Sequence, residues 1–274
     1  MFTIVFVLSG CSFGSAHEPE ASQLEMKKLT MQEVIERSNK EMESVKGISI
    51  QSKGKQKMFK EGESLDLNID LTTTMTYEPT VMHIKGKGLT PEGNSLELYL
   101  DDSIIYIKDP NKGWIKMGSD HLGDLFNSDP ITGDPKGMID DANKLNDSYK
   151  MSQKDGFYVL EMDASADGIE KIKEMMAKNE LSTMAQMTQG LDVKDEKDIS
   201  DIMKEMKIHR FKQVLWIDEK TFELKKMEQK TQFEVPLEGK EVKMEQDMTM
   251  TLKGYVDKVT IPDEVKKNAV ETNQ

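Results

Sequence analysis

Leu65-Asp66-Leu67-Asn68-Ile69-Asp70-Leu71-Thr72 changes character at every residue, apolar at odd positions and polar at even ones. The odd parity continues through Met75 and Tyr77. Successive side chains of a strand point to opposite faces, so this alternation describes a strand buried on one side and wetted on the other. The same period of two extends outward over Gly47 to Met117. It reappears as Met82 and Ile84 and then as Leu96, Leu98 and Leu100, after the turn signals Glu78-Pro79 and Pro91-Glu92-Gly93-Asn94. Asp101-Asp102 and Asp109-Pro110-Asn111-Lys112-Gly113 read as hairpin turns around Ile104–Ile107 and Trp114–Met117.

A second β block lies near the other end, over 208–217, 222–235, 239–252 and 255–261, preceded by short strands at Tyr149–Met151 and Phe157–Met162. Val242, Met244, Met248, Met250 and Leu252 share one parity, with Gln246 as the interruption. In 222–235 the apolar parity flips between Leu224 and Met227. A one-residue slip exchanges the faces of a strand, so a β-bulge is expected there.

Helical spacing takes over in three places. Thr30-x-x-Glu33 has the form of a capping box, and Met31, Val34, Ile35, Met42 and Val45 follow on one stripe until Gly47, which gives a helix over about 30–45. A short helix is expected around 135–145, and a helical insertion over 167–206. The order is helix, meander, helical insertion, meander. It predicts an α+β domain with one large curved antiparallel sheet, an open half-barrel whose helices cover the concave face.

The formal net charge of -13 argues against nucleic acid, which calls for Lys and Arg clusters, and against electrostatic adhesion to anionic lipid. At 36% hydrophobic and 6% aromatic residues, the core is lean in rings, and 21 Met fill part of that gap. Cys11 is the single Cys, so no intramolecular disulfide contributes.

Cys11 stands in Leu8-Ser9-Gly10-Cys11-Ser12, at the end of the short apolar run Phe2 to Leu8. This resembles the lipobox of bacterial lipoproteins, which implies that Cys11 carries the lipid that holds the body at the extracytoplasmic face of a cell membrane. The apolar run is short and no Lys or Arg precedes it, so the true start codon is expected upstream. Residues 1–10 are then a signal peptide, 11–28 the lipidated Cys and its tether, 29–267 one domain and 268–274 a disordered tail.

Three stretches carry a further resemblance: Ile105-Tyr106-Ile107-Lys108 through Gly113-Trp114-Ile115-Lys116-Met117; Leu215-Trp216-Ile217-Asp218-Glu219-Lys220-Thr221 through Lys225-Lys226-Met227; and Val259-Thr260-Ile261-Pro262-Asp263-Glu264-Val265. With the lipobox and the first helix, they resemble uncharacterised lipoproteins of low-GC Gram-positive bacteria. More remotely they resemble the mycobacterial LppX/LprG lipoproteins and the LolA/LolB fold. The resemblance implies a half-barrel whose concave face holds acyl chains, and it names no catalytic residue.

Competing chemistries have a plainer explanation. Gly10-Cys11-Ser12-Phe13-Gly14 contains the letters of a nucleophile elbow but straddles the cleavage point, without the strand before and helix after that the motif needs. Ser52-Lys53-Gly54-Lys55 matches Ser-x-x-Lys without companion motifs. His17, His83, His121 and His209 are scattered, and the acids of 118–141 lack calcium-loop spacing. Met184-x-x-Met187 and Met203-x-x-Met206 suit soft Cu(I), yet both coincide with apolar helical stripes. No metal and no cofactor is called for.

The resulting expectation is a monomeric, membrane-anchored lipoprotein that binds a lipid or acyl chain without catalysis, its envelope protein partner unspecified. The alternatives are a solidly packed envelope module that docks another protein and a Met-based copper carrier. Leu67, Ile69, Leu71, Leu98, Met244, Met248 and Met250 are expected to line the concave pocket, under the helices of 167–206. Trp114 and Trp216 are expected in the core of the sheet.

Overall fold

A computed structural model describes residues 28–88, 95–101, 103–118, 134–164, 168–173, 205–237 and 240–271. Helix α1 (Met31–Glu43) starts at Thr30. The Thr30 N–H donates to Glu33 Oε2 at 2.8 Å, and the Glu33 N–H donates to Thr30 Oγ1 at 3.2 Å. Two orphan donors of the first turn are thereby satisfied, as the capping box requires. The helix buries Val34, Ile35, Ser38 and Met42 on one stripe.

Two meanders follow. The first is β1 (Gly47–Lys60), β2 (Glu63–Tyr77), β3 (Thr80–Lys87), β4 (Ser95–Asp101), β5 (Ile104–Asp109) and β6 (Gly113–Gly118). Helix α2 (Pro135–Lys144) and a short 3-10 turn at Asn146–Ser148 lead to β7 (Tyr149–Lys154) and β8 (Phe157–Asp163). Then come β9 (Lys207–Asp218), β10 (Leu224–Leu237), β11 (Lys240–Tyr255), helix α3 (Asp263–Asn268) and β12 (Val270–Glu271). Residues 168–173 are helical. Two hairpins turn through paired residues with positive φ, Glu61-Gly62 (53° and 87°) and Asp155-Gly156 (52° and 82°), the geometry whose twist suits a two-residue loop.

Among the described residues the strands form one open twelve-stranded sheet in the order β12-β6-β5-β4-β3-β2-β1-β11-β10-β9-β8-β7. All neighbours are antiparallel except β12 and β6. β1 is the keystone, since it pairs with β2 of the first meander and β11 of the last over nearly its whole length. The fold is thus mostly β with a few short helices, an open sheet of the expected kind. The expected bulge is present as a register shift between Leu224 and Lys226 in the β10–β9 ladder.

Apolar residues of the long strands gather under α1 and α2 at one end of this face. Ile48, Ile50, Met82, Ile84, Ile105, Leu160, Leu215 and Ile217 form one buried cluster with Val34, Ile35, Met138, Ile139 and Ala142. Each of the larger of these side chains contributes roughly 1.5–3 kcal/mol when fully removed from water. Tyr77 ties the second helix down, its hydroxyl donating to Asp134 Oδ1 at 2.6 Å beside the first turn of α2. Ile172, from the start of the expected helical insertion, joins this cluster, while 174–204 lie outside the described residues.

Three expectations need correction. The strand expected over 255–261 does not form. β11 runs on to Tyr255, and the chain then leaves the ladder after one bond from the Val256 N–H to the Gly47 carbonyl at 2.9 Å. Ile261 and Val265 instead pack on Tyr106, with Val81, Tyr99, Ile104 and Trp114 around them. Tyr106 alternates with buried Ile105, so this smaller cluster lies on the outer face, opposite α1. Burial of Ile261 and Val265 against the Tyr106 ring holds the C-terminal segment there. The tail expected over 268–274 begins as structure, since α3 leads into Val270–Glu271, which pair in parallel with Ile115 and Lys116 of β6.

Trp114 and Trp216 are half-buried on the outer face and lie outside the main core. Trp216 alternates with buried Leu215 and Ile217. Its ring meets Phe157 edge-on at 6.1 Å, and Lys226 Nζ stands 5.1 Å from its centroid. An indole on that side has cross-strand partners to pack against, which an alternation count does not weigh.

Candidate functional site

The site is assembled on β1, whose inner side chains change along its length. Ile48 and Ile50 are branched and buried, but Ser52, Gly54 and Gln56 then replace them. Register defines what surrounds this thin stretch. On one flank Ser52 faces Leu71, Gly54 faces Ile69 and Gln56 faces Leu67. On the other, Ser52 faces Met250, Gly54 faces Met248, Gln56 faces Gln246 and Met58 faces Met244. Gly54 has a steric reason, because a Cβ there would overlap the Met248 Sδ and the Asp247 carbonyl oxygen.

Six of the seven residues expected to line a pocket therefore gather around the middle of β1 on one face. Leu98 shares the face but stands across β3, opposite Ile84, in the fully closed part of the core. Ile69, Leu71, Leu98, Met244, Met248 and Met250 are 5–9% exposed, and Leu67 is half-buried. Cys11 lies outside the described residues, as do Met184, Met187 and Met203.

The same register exposes residues that were missed. On β10, Met227, Gln229, Thr231, Phe233 and Val235 face Met250, Met248, Gln246, Met244 and Val242 in turn. Gln246, read in sequence as an interruption, thus lies in a cross-strand line with Gln56 and Thr231. Gln213 of β9 faces Gln229 and is tied elsewhere. It accepts a hydrogen bond from the Tyr149 hydroxyl, and its Nε2 contacts Met227 Sδ at 3.2 Å. Burial, with Asp141 nearby, pushes the Tyr149 phenol well above its ordinary range, so this network stays neutral.

The outer face is a field of ion pairs. Lys53 pairs with Asp70 at 3.2 Å, Lys57 with Asp66 at 3.6 Å, Lys230 with Asp247 at 2.6 Å and Lys243 with Glu234 at 2.7 Å. Most of these groups are exposed, so each pair contributes little to stability. His83 stacks on Tyr99 at 4.2 Å and stands 3.3 Å from Glu97, and His209 is 3.2 Å from Glu234; both belong to this solvated face. Ser52 and Lys55 point to opposite sides of β1, so Ser-x-x-Lys makes no catalytic pair here. Among the described residues no group of three or more His, Cys, Asp or Glu could hold a metal ion, and no helix is long and apolar enough to cross a membrane.

A family model described as a family of unknown function (DUF6612) matches residues 30–270. No curated protein matches. Among solved structures, the chain is similar to LprF from Mycobacterium bovis at 14% identity, covering 85% of this chain and 95% of that one with a TM-score of 0.43. The lipoprotein LppX from Mycobacterium tuberculosis matches at 8% identity over 84% and 97% of the two chains, with a TM-score of 0.38. A LolA superfamily protein from Nitrosomonas europaea matches at 12% identity over 86% and 99%, with a TM-score of 0.26.

Proposed function

The chain belongs to the DUF6612 family, whose function is unknown, and from that premise we propose that it is an extracytoplasmic lipoprotein, anchored through Cys11, whose inner sheet face binds a lipid or acyl chain without catalysis. The observation that carries this reading is the change of side chains along β1. A face meant only to pack would continue the branched residues of Ile48 and Ile50. Instead Ser52 and Gly54 are small and Gln56 brings a carboxamide, and the side chains laid against them are the flexible Met248 and Met250, with Met244 beside Met58. Thioether side chains are unbranched and polarizable, so they repack around different shapes at little cost. Ligand sites of this kind are mostly apolar clefts of roughly 300–1,000 Å³.

The anchor rests on Leu8-Ser9-Gly10-Cys11-Ser12. Cys11→Ala is expected to abolish metabolic labelling with a fatty acid and to leave unprocessed precursor. Wild-type incorporation by that variant contradicts the anchor. For the ligand, native mass spectrometry of a soluble form that starts at Ser12 is expected to show an added mass that organic extraction removes as lipid. Protein that carries no lipid and binds no acyl probe would be a packed docking module instead.

A further inference from the structure

Gln56, Gln246 and Thr231 stand side by side on three neighbouring strands of the inner face. Above them in register lie Gly54, Met248 and Gln229, and below them Met58, Met244 and Phe233. Thr231 is only 9% exposed, and its Oγ1 has no hydrogen-bond partner among the described residues. A buried hydroxyl left unmade costs free energy, whereas Val in its place loses nothing of shape. The fold nevertheless keeps a hydroxyl there, beside two carboxamides, in a face that is otherwise largely Met, Leu and Ile.

The row is also neutral. Between Ile48 and Met58 the inner positions of β1 hold no charged residue, and the first one beyond is Lys60, opposite Val242 near the β1–β2 turn. A carboxylate or phosphate seated at Thr231 would be a buried charge without a counter-ion among the described residues beside it, which is far costlier than a buried carbonyl. Carboxamide N–H groups and a hydroxyl can instead donate to an uncharged oxygen.

We propose that this row holds a neutral oxygen function of the ligand, an ester carbonyl or a hydroxyl, with hydrocarbon lying over the Met residues around it. The ligand class is thus an acylated molecule bound by an uncharged group, as distinct from a free fatty acid or a plain hydrocarbon. This rests on the inner face being the ligand site.

The test uses the full-length chain with Cys11→Ser, which leaves no lipid on the protein, and three probes: dioleoylglycerol, oleate and squalene. Dioleoylglycerol is expected to bind tightest. Thr231→Val and Gln246→Leu should each weaken it by about three- to tenfold, the net effect of one neutral hydrogen bond, while squalene stays within about twofold. The melting temperature of Thr231→Val should not fall, because no internal bond is lost. If squalene binds and the two substitutions leave dioleoylglycerol unchanged, or if oleate binds tightest, the inference is overturned and the ligand-binding reading survives. If no probe binds the unsubstituted row, both fall together.

Discussion

At the α1 end of the inner face, Ile48, Ile50, Met82, Ile84 and Ile105 interlock beneath Val34 and Ile35. A few residues further along β1, the same face offers Ser52, Gly54 and Gln56, with Met248, Met250 and the Gln246–Thr231 line beside them. Branched side chains have few rotamers and specify one packing, whereas small residues bordered by Met admit many. One buried face therefore runs from branched side chains at the α1 end to small and Met side chains further along β1, and the proposed ligand belongs to the second stretch.

Substitutions can break that contrast. Ile48→Ala at the closed end should have the largest effect, a loss of about 2–5 kcal/mol from cavity formation, seen as a melting temperature lower by about 5–15 °C. Met250→Leu at the other end should cost less than about 1.5 kcal/mol, because the volume is conserved and the surroundings adjust. Equal losses at the two sites would mean that both ends are packed alike.

Thr30→Ala removes one half of the capping box and should cost about 1 kcal/mol in chemical denaturation, loosening α1 over the closed end. Acyl-probe binding should then change little, since α1 packs on the Ile48 end. The smallest effect belongs to the outer face. Lys243, with His209 also near, holds the Glu234 carboxyl below the usual 4.5, to about 2. The folded state therefore binds fewer protons than the unfolded one. Its contribution is present above pH 4.5 and fades as pH falls toward 2. Glu234→Gln should flatten that part of an acid unfolding curve without altering probe affinity.

Much of this architecture was legible in the chain. Alternation from Leu65 to Tyr77 gave the buried face, Thr30 and Glu33 gave the helix start, and the parity flip after Leu224 announced a real register shift. What escaped depends on partners far away in sequence. Tyr106 looks like a stray ring on a wet face until Ile261 and Val265 arrive to cover it. Gln246 looks like a fault in an apolar strand until register sets it between Gln56 and Thr231. The common face of Leu67, Ile69, Leu71, Met244, Met248 and Met250 follows from period two within each strand. The polar row does not, because a cross-strand line exists only once register is known.

The central claim is that the Met-bordered half of the inner face receives an apolar ligand. Its most direct test is titration of a fluorescent neutral lipid, a labelled diacylglycerol, into the wild-type protein and Met248→Glu, with strand content followed by circular dichroism. A carboxylate at residue 248 would stand over Gly54, unpaired and costly to bury beside an apolar chain. The expected result is saturable binding to wild type and its loss in Met248→Glu at unchanged strand content. Wild-type protein that leaves the probe free, or a variant that binds it as wild type does, would contradict the claim.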